Sequence, residues 1–238
     1  MFVDFDGTIS RRDVGNGLFR AFGGPACDAL VARYRRGEIG ARDCFRGEAE
    51  AMGRFSVADM EAWIDAQEID ESFGPFVTFC ADAGMELAIV SDGLDFYIRR
   101  ILERRGLGGV RLYANTLSFE DRAADGTARA RVAFPHADAE CGCCGCCKRN
   151  IVLTSTADEE ILCYVGDGFS DRCPAGYADI VFARDALQTH CQEQNISYYP
   201  FTTFAEVAAR MGELIAHSRV RPRRQALAHR RAAFIRES

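Results

Sequence analysis

Apolar residues along the chain fall into two kinds of spacing. Residues 2–5 form a short apolar run, interrupted by acid at Asp4, ending in Asp6 and then Gly7-Thr8, which predicts a strand and the turn after it. From about 13 to 73 the period becomes helical. Leu18-Phe19-Phe22, Leu30-Val31-Tyr34 and Met60-Trp63-Ile64 recur at helix spacing, with breaks at Gly23-Gly24, Gly37 and Gly53. Beyond this segment strands and helices alternate. Residues 75–83 read as a helix, 85–90 as a buried strand ending at Ser91, and 94–105 as a helix. Weak alternation over 111–134 around Asp125-Gly126 predicts a hairpin or two short strands. After a cysteine-rich loop a helix starts near Cys147; strands are expected at 161–165 and 179–182, and helices at 168–177, 186–194 and 204–217.

This order predicts an α/β fold: a doubly wound, Rossmann-like parallel sheet with helices on both faces and an inserted helical cap. The expected division is 1–12 and 74–217 for the core, 13–73 for the cap, and 218–238 for a basic tail. In such sheets reactive groups collect just past the carboxyl ends of the strands. Three apolar strands here end in candidate reactive residues: Asp4 with Asp6, Ser91, and Asp167.

Composition narrows the class. With 238 residues, 48% hydrophobic and 27% charged, the chain has room for one sizeable domain with an inserted subdomain, and collagen-like or fully disordered chains are excluded. No apolar run approaches the roughly 20 residues needed to cross a bilayer. Met1-Phe2-Val3 leads straight into acid, unlike a signal peptide, so a cytoplasmic location is expected. Net charge is 29 − 35 = −6, unevenly spread: seven Arg and one Glu make 218–238 +6 and leave −12 on 1–217. An acidic body argues against a general nucleic-acid binder. The tail reads as flexible or as a peripheral helix, with an anionic surface as the other reading.

Five of the eleven cysteines, Cys141, Cys143, Cys144, Cys146 and Cys147, lie in one short run. Clustering of this kind, without an export signal, argues for a metal site or reduced thiols over a disulfide framework. Structural Zn²⁺ is one reading, although C-x-C and C-C pairs chelate less well than separated C-x-x-C pairs. Inert thiols and a redox role are the others. His190, beside Cys191, reads as a surface histidine.

The acids carry the clearest chemistry. Asp4 and Asp6 alternate by two, and Asp167 and Asp171 share the segment Gly166-Asp167-Gly168-Phe169-Ser170-Asp171. Carboxylates converging on one crevice repel unless a cation neutralises them, and hard oxygen ligands suit Mg²⁺ together with substrate phosphate. A carboxylate can also attack phosphorus as a covalent nucleophile. Lys148 and the Ser91 hydroxyl could hold phosphoryl oxygens, with the backbone of Asp92 and Gly93 beside them. Taken singly, Ser91 also reads as a helix cap and Lys148 as a surface charge. Arg35, Arg36, Arg42 and Arg46 read as a solvated helix face before a substrate surface, and Phe55 and Trp63 as cap core before a pocket.

Taken in order, Asp4-Phe5-Asp6-Gly7-Thr8, Ser91-Asp92-Gly93, Lys148 and Gly166-Asp167 with Asp171 resemble the four motifs of the haloacid-dehalogenase-like superfamily, over nearly the whole chain to about 217. The resemblance implies a Mg²⁺-dependent hydrolase. Asp4 is then the nucleophile that forms an aspartyl-phosphate, and Asp6 the acid and base, its carbonyl also on the metal. Ser91 and Lys148 hold the phosphoryl group, Asp4, Asp6 and Asp167 form the metal set, and Asp171 and Thr8 support it. An acid at position 6 favours a phosphatase over a dehalogenase, because a departing alkoxide needs a proton and a halide does not. The insertion between the first two motifs resembles the phosphoserine-phosphatase subgroup, whose cap closes over a small ester.

Ser91-Asp92-Gly93-Leu94-Asp95-Phe96, the cysteine run into Lys148, Val181-Phe182-Ala183-Arg184-Asp185 and the stretch 198–204 further resemble the methionine-salvage phosphatases acting on 2-hydroxy-3-keto-5-methylthiopentenyl-1-phosphate. Phosphoserine and phosphocholine or phosphoethanolamine are the alternative substrates, and a zinc-binding regulatory protein on a phosphatase fold the rival outside catalysis. Two departures matter. Asp92 replaces the usual glycine after the serine, which is expected to alter the phosphate loop. Asp13 stands where phosphoserine phosphatases bind the substrate ammonium through glutamate, which disfavours phosphoserine. Only three residues precede Asp4, fewer than the usual first strand, so a native start upstream is expected. The working unit is expected to be a monomer or homodimer.

Overall fold

The computed structural model describes residues 1–139, 141, 144–157 and 159–236. The chain opens with β1 (Phe2–Val3), followed by α1 (Val14–Gly23), α2 (Pro25–Arg35), α3 (Ala41–Ala51), β2 (Arg54–Ser56) and α4 (Val57–Asp65). Then come α5 (Phe73–Asp82), β3 (Ala88–Leu94), α6 (Asp95–Glu103), β4 (Arg111–Glu120) and β5 (Thr127–Ala133). The remainder comprises α7 (Lys148–Thr154), β6 (Cys163–Gly166), α8 (Arg172–Tyr177), β7 (Ile180–Ala183), α9 (Asp185–Glu193), β8 (Tyr199–Pro200), α10 (Phe204–Ala216) and α11 (Arg224–Arg236). No helix among the described residues is long and apolar enough to cross a membrane.

Two compact units result: Met1–Ile9, Ile69–Val90 and Lys148–Ser238 in the first, Ser10–Glu68 and Ser91–Cys147 in the second. The segment expected as a cap, 13–73, falls mostly in the second unit. Residues 91–147, expected in the core, join it there.

In the first unit five parallel strands lie in the order β3-β1-β6-β7-β8. Phe2 and Val3 are buried, as are all residues of β6 and β7. Strands covered on both faces need continuous rather than alternating apolar character, which explains why these short runs carry no period of two. β1 sits between β3 and β6, with Val3 in register with both Ile89 and Val165. Its continuation, Asp4, donates its backbone N–H to the Val165 carbonyl at 2.9 Å. The carboxyl end of β1 is thereby fixed beside the end of β6. Phe73 and Phe76 on α5 pack against Phe204 on α10, with ring centroids 4.9 and 5.1 Å apart.

The second unit combines an antiparallel sheet, β2-β5-β4, with helices. Asp125 Oδ1 accepts the N–H and hydroxyl of Thr127 at 2.9 and 2.7 Å, and Gly126 takes φ +82°, so the expected hairpin turn forms at Asp125-Gly126. Phe119 packs between Phe55 and Phe96, edge-on to the latter at 4.8 Å. Phe55 is buried in this core and Trp63 half-buried.

Several elements differ from expectation. The strand expected at 85–90 starts at Ala88 and runs through Ser91 to Leu94. The strands β2 and β8, too short to show a period, were not expected. The basic tail forms the helix that one of its two readings expected, and this helix is anchored: Arg230 is buried against Asp179, with nitrogen–oxygen distances of 3.1 and 3.2 Å, and Ala226 is buried.

Candidate active site

Beyond β1 the chain turns sharply. The Phe5 carbonyl accepts the N–H groups of Thr8 and Ile9 at 3.2 and 2.9 Å, and Gly7 takes φ +74°. A Cβ at Gly7 would lie 2.6 Å from Asp167 Oδ2, so only glycine fits both the backbone angle and the space. Thr8 Oγ1 donates to Asp167 Oδ1 at 2.5 Å. The two acidic segments are therefore locked together by short contacts: Asp4 is buried, while Asp6 and Asp167 are partly exposed.

Lys148, the first residue of α7, is buried between two acids. Its Nζ donates to Asp4 Oδ1 at 2.8 Å and to Asp171 Oδ1 at 2.7 Å. The reading of Lys148 as a surface charge is thus excluded. Asp171 is fully engaged: Oδ1 also accepts the Tyr164 hydroxyl at 2.6 Å, and Oδ2 accepts the N–H groups of Asp167 and Gly168 at 3.0 and 2.8 Å. Four donors fill its lone pairs, and Oδ1 holds the Lys148 ammonium in place. Asp4 Oδ1 also takes the Phe5 N–H at 2.7 Å.

The electrostatics follow from this crowding. Asp4, Asp167 and Asp171 each offer a carboxylate oxygen, all within 4.8 Å of one another. Burial, then the charge of Asp171, push Asp4 well above the usual carboxylate range against the pull of Lys148. Burial and Asp171 likewise raise Asp167 to about 6. Burial opposes the charge of Asp171 too, but Lys148 and the hydrogen bonds it accepts hold it below the ordinary value. Burial works against the Lys148 ammonium, and Asp171 and Asp4 outweigh it, so this lysine stays charged. Three carboxylates against one ammonium leave a deficit of two positive charges, which a divalent cation with oxygen preference fits.

Ser91, Asp92, Asp13 and the described residues of the cysteine run lie in the second unit, and His190 in the first. Ser91 is buried inside β3, and its Oγ accepts the Gly93 N–H at 2.9 Å; α6 begins later, at Asp95, so Ser91 is not a helix cap. The Asp92 carboxylate accepts the N–H groups of Gly145 and Cys146 at 2.9 and 2.8 Å and an Asn115 amide N–H at 3.2 Å. The residue that replaces the usual glycine thus braces the cysteine loop. Asp13 caps α1, Oδ1 accepting the Asn16 N–H at 2.8 Å. In the cysteine run Cys141 and Cys144 are partly exposed, Cys146 and Cys147 buried, and Cys143 lies outside the described residues. His190 is partly exposed on α9.

Two neighbours of the site were not foreseen from the residues alone. Tyr164 is buried in β6, one of a continuous apolar run, and only the register reveals that its hydroxyl meets Asp171. Arg184, just past β7, donates to the carbonyls of Gly7 and Thr8 and to Thr202 O at 3.0 Å, clamping the turn that carries Asp6. It belongs to the stretch Val181-Phe182-Ala183-Arg184-Asp185, where resemblance signalled interest without a role.

Comparison with known proteins agrees with this arrangement. Residues 1–207 match the family described as Putative Phosphatase. A protein named 2-hydroxy-3-keto-5-methylthiopentenyl-1-phosphate phosphatase from Exiguobacterium sibiricum is 32% identical over 214 residues, covering 87% of this chain and 93% of its own. One of the same name from Geobacillus thermodenitrificans is 29% identical over 218 residues, covering 90% and 96%. Among solved structures, a phospho-aspartyl intermediate analogue of phosphoserine phosphatase superposes with TM-score 0.66 at 16% identity, covering 88% of this chain and 96% of that one. A hydrolase of the haloacid-dehalogenase family from Salmonella enterica serovar Typhi gives TM-score 0.66 at 18% identity, covering 85% and 67%. At these identities the structures establish the fold, and the family match establishes the kind of enzyme. The match over residues 1–207, together with a relative 32% identical over nearly its whole length, makes this chain a member of the Putative Phosphatase family and a phosphoric monoester hydrolase.

Proposed function

We propose that the chain hydrolyses a small phosphate monoester in two steps through Asp4, with Mg²⁺ held among Asp4, the Asp6 carbonyl and Asp167. The observation that carries this reading is the buried lysine between Asp4 and Asp171, 2.8 and 2.7 Å away, next to an acid cluster short of two positive charges. Lys148 and the Phe5 N–H both grip Oδ1 of Asp4, so its other oxygen attacks phosphorus. The ester P–O bond breaks as the Asp6 carboxylic acid gives its proton to the departing alcohol. Asp6, now a carboxylate, takes a proton from water as that water attacks phosphorus, which breaks the bond to Asp4 and releases phosphate. Lys148 and Ser91 hold phosphoryl oxygens as charge builds on them. When bound, Mg²⁺ supplies charge neutralisation to the clustered acids and to the phosphoryl group. Asp171 keeps Lys148 in place, and Thr8 orients Asp167.

The substrate we infer is 2-hydroxy-3-keto-5-methylthiopentenyl-1-phosphate, after the relatives named for it that match nearly end to end. The carboxylate pocket suits hard Mg²⁺; the thiol cluster is a site of different chemistry, where zinc is the candidate.

A panel of small phosphate esters, with enol and amine phosphates included, tests the reading. The enol phosphate is expected to give the highest kcat/KM with Mg²⁺, and EDTA to remove activity until Mg²⁺ is restored. Undiminished turnover in chelator would refute the metal assignment, and preference for an amine phosphate would overturn the substrate.

A further inference from the structure

We infer that Cys141, Cys144 and Cys147 form a zinc site. Their sulfur atoms lie within 4.8 Å of one another, with Cys141 Sγ and Cys144 Sγ at 3.5 Å. Sulfurs bonded at about 2.3 Å to one tetrahedral zinc are separated by roughly 3.8 Å, so this spacing is that of ligands sharing an ion. It is too long for a disulfide bond. The spacing along the chain agrees: Cys141 and Cys144 form one C-x-x-C step, and Cys144 and Cys147 a second that shares the middle residue. Thiolate ligands select a soft or borderline ion, which separates this site from the all-oxygen cluster around Asp4.

Cys141 and residues 145–147 are held by contacts that need no ion. Asp92 Oδ1 receives the N–H groups of Gly145 and Cys146, and the Cys147 N–H donates to His136 O at 2.8 Å. The Cys141 N–H donates to Asp138 Oδ1 at 3.3 Å. A Cβ at Gly145 would meet Asn115 and Phe134 at 2.9 Å, so the middle of the loop is packed tightly enough to require glycine. Such preorganisation lowers the cost of gathering three thiols, each of which passes its proton to solvent as zinc binds. The ion braces the loop whose Gly145 and Cys146 N–H groups are held by Asp92 and whose last cysteine, Cys147, precedes Lys148.

Metal content is read without turnover, so the outcome is separate from that of the phosphatase reading. Protein purified under reducing conditions and desalted is expected to carry about one zinc per chain by elemental analysis, and Cys144→Ser to lower this by about tenfold. Wild-type protein loaded with Co²⁺ in place of zinc is expected to show an intense thiolate-to-cobalt charge-transfer band, a test independent of whether the variant folds. Wild-type protein without zinc and without that band, zinc undiminished in Cys144→Ser, or a disulfide within the cluster in a peptide map of the reduced preparation would each overturn the site.

Discussion

Asp171 shows how much one residue contributes to the site without meeting substrate. Its four hydrogen bonds join α7, β6 and the turn after β6, and its charge keeps Lys148 both ionised and aimed at Asp4. Asp171→Asn replaces an acceptor-only group with one that presents an amide N–H to a donor on one side or the other. The variant is expected to stay folded by circular dichroism and to lose on the order of a hundredfold in kcat/KM, an ordinary cost for a misplaced group near the chemistry. Wild-type kinetics in this variant would remove Asp171 from the account. Asp4, Asp6 and Asp167 stand out in the sequence as acids ending apolar runs, and Asp171 by sharing a segment with Asp167. Lys148, which alone reads as a surface charge, stands out only through the resemblance of the four motifs taken in order. Tyr164 and Arg184 do not stand out: a tyrosine within an apolar strand and an arginine after one are unremarkable until strand register shows what they touch. Asp92 was singled out for the residue it replaces, yet its part in holding the cysteine loop depends on contacts across 53 and 54 positions.

The elements follow the same rule. β1, β3 and β6 stood out as apolar runs ending at candidate reactive residues, and the Asp125-Gly126 turn was legible because its chemistry is local. β2 and β8 were missed, since three and two residues cannot display a period. The tail was read as peripheral because arginines at this density usually face water. Two of them turn inward instead. Arg223 donates to carbonyls of Ala175, Gly176 and Ala178, and Arg230 pairs with a buried Asp179, whose carboxylate also accepts the Leu162 and Arg223 N–H groups. Removing one partner of a buried pair strands the other charge, so Arg230→Ala is expected to lower unfolding free energy by about 3 kcal/mol. Chemical denaturation measures this, and a change within error would return the tail to the surface role that its composition suggested.

At the scale of the whole molecule, stability also responds to a buried acid outside the acid cluster around Lys148. Glu48 on α3 is buried, with the Cys44 thiol 3.7 Å from Oε2. Burial first, and the charge of Asp13 after it, raise its pKa from an ordinary 4.5 to about 7. The folded state therefore holds this proton more tightly than the unfolded state does. Stability from this group is complete below about pH 4.5 and is lost as pH rises toward 7, by roughly 3 kcal/mol in all. Glu48→Gln removes the titration, so its stability relative to wild type is expected to rise across that window in urea melts. A constant difference between the two proteins from pH 4.5 to 7 would show that Glu48 titrates normally.

The account as a whole rests on a covalent bond between Asp4 and phosphorus. Rapid acid quench of the enzyme during turnover with Mg²⁺, followed by peptide mass spectrometry, tests it directly. The phosphoryl group is expected on the peptide spanning 1–11, at Asp4, labile to hydroxylamine and absent from Asp4→Asn, which is expected to lose activity by a factor on the order of 10⁴ or more while remaining folded. Phosphorylation of another residue, or sustained turnover by Asp4→Asn, would contradict it.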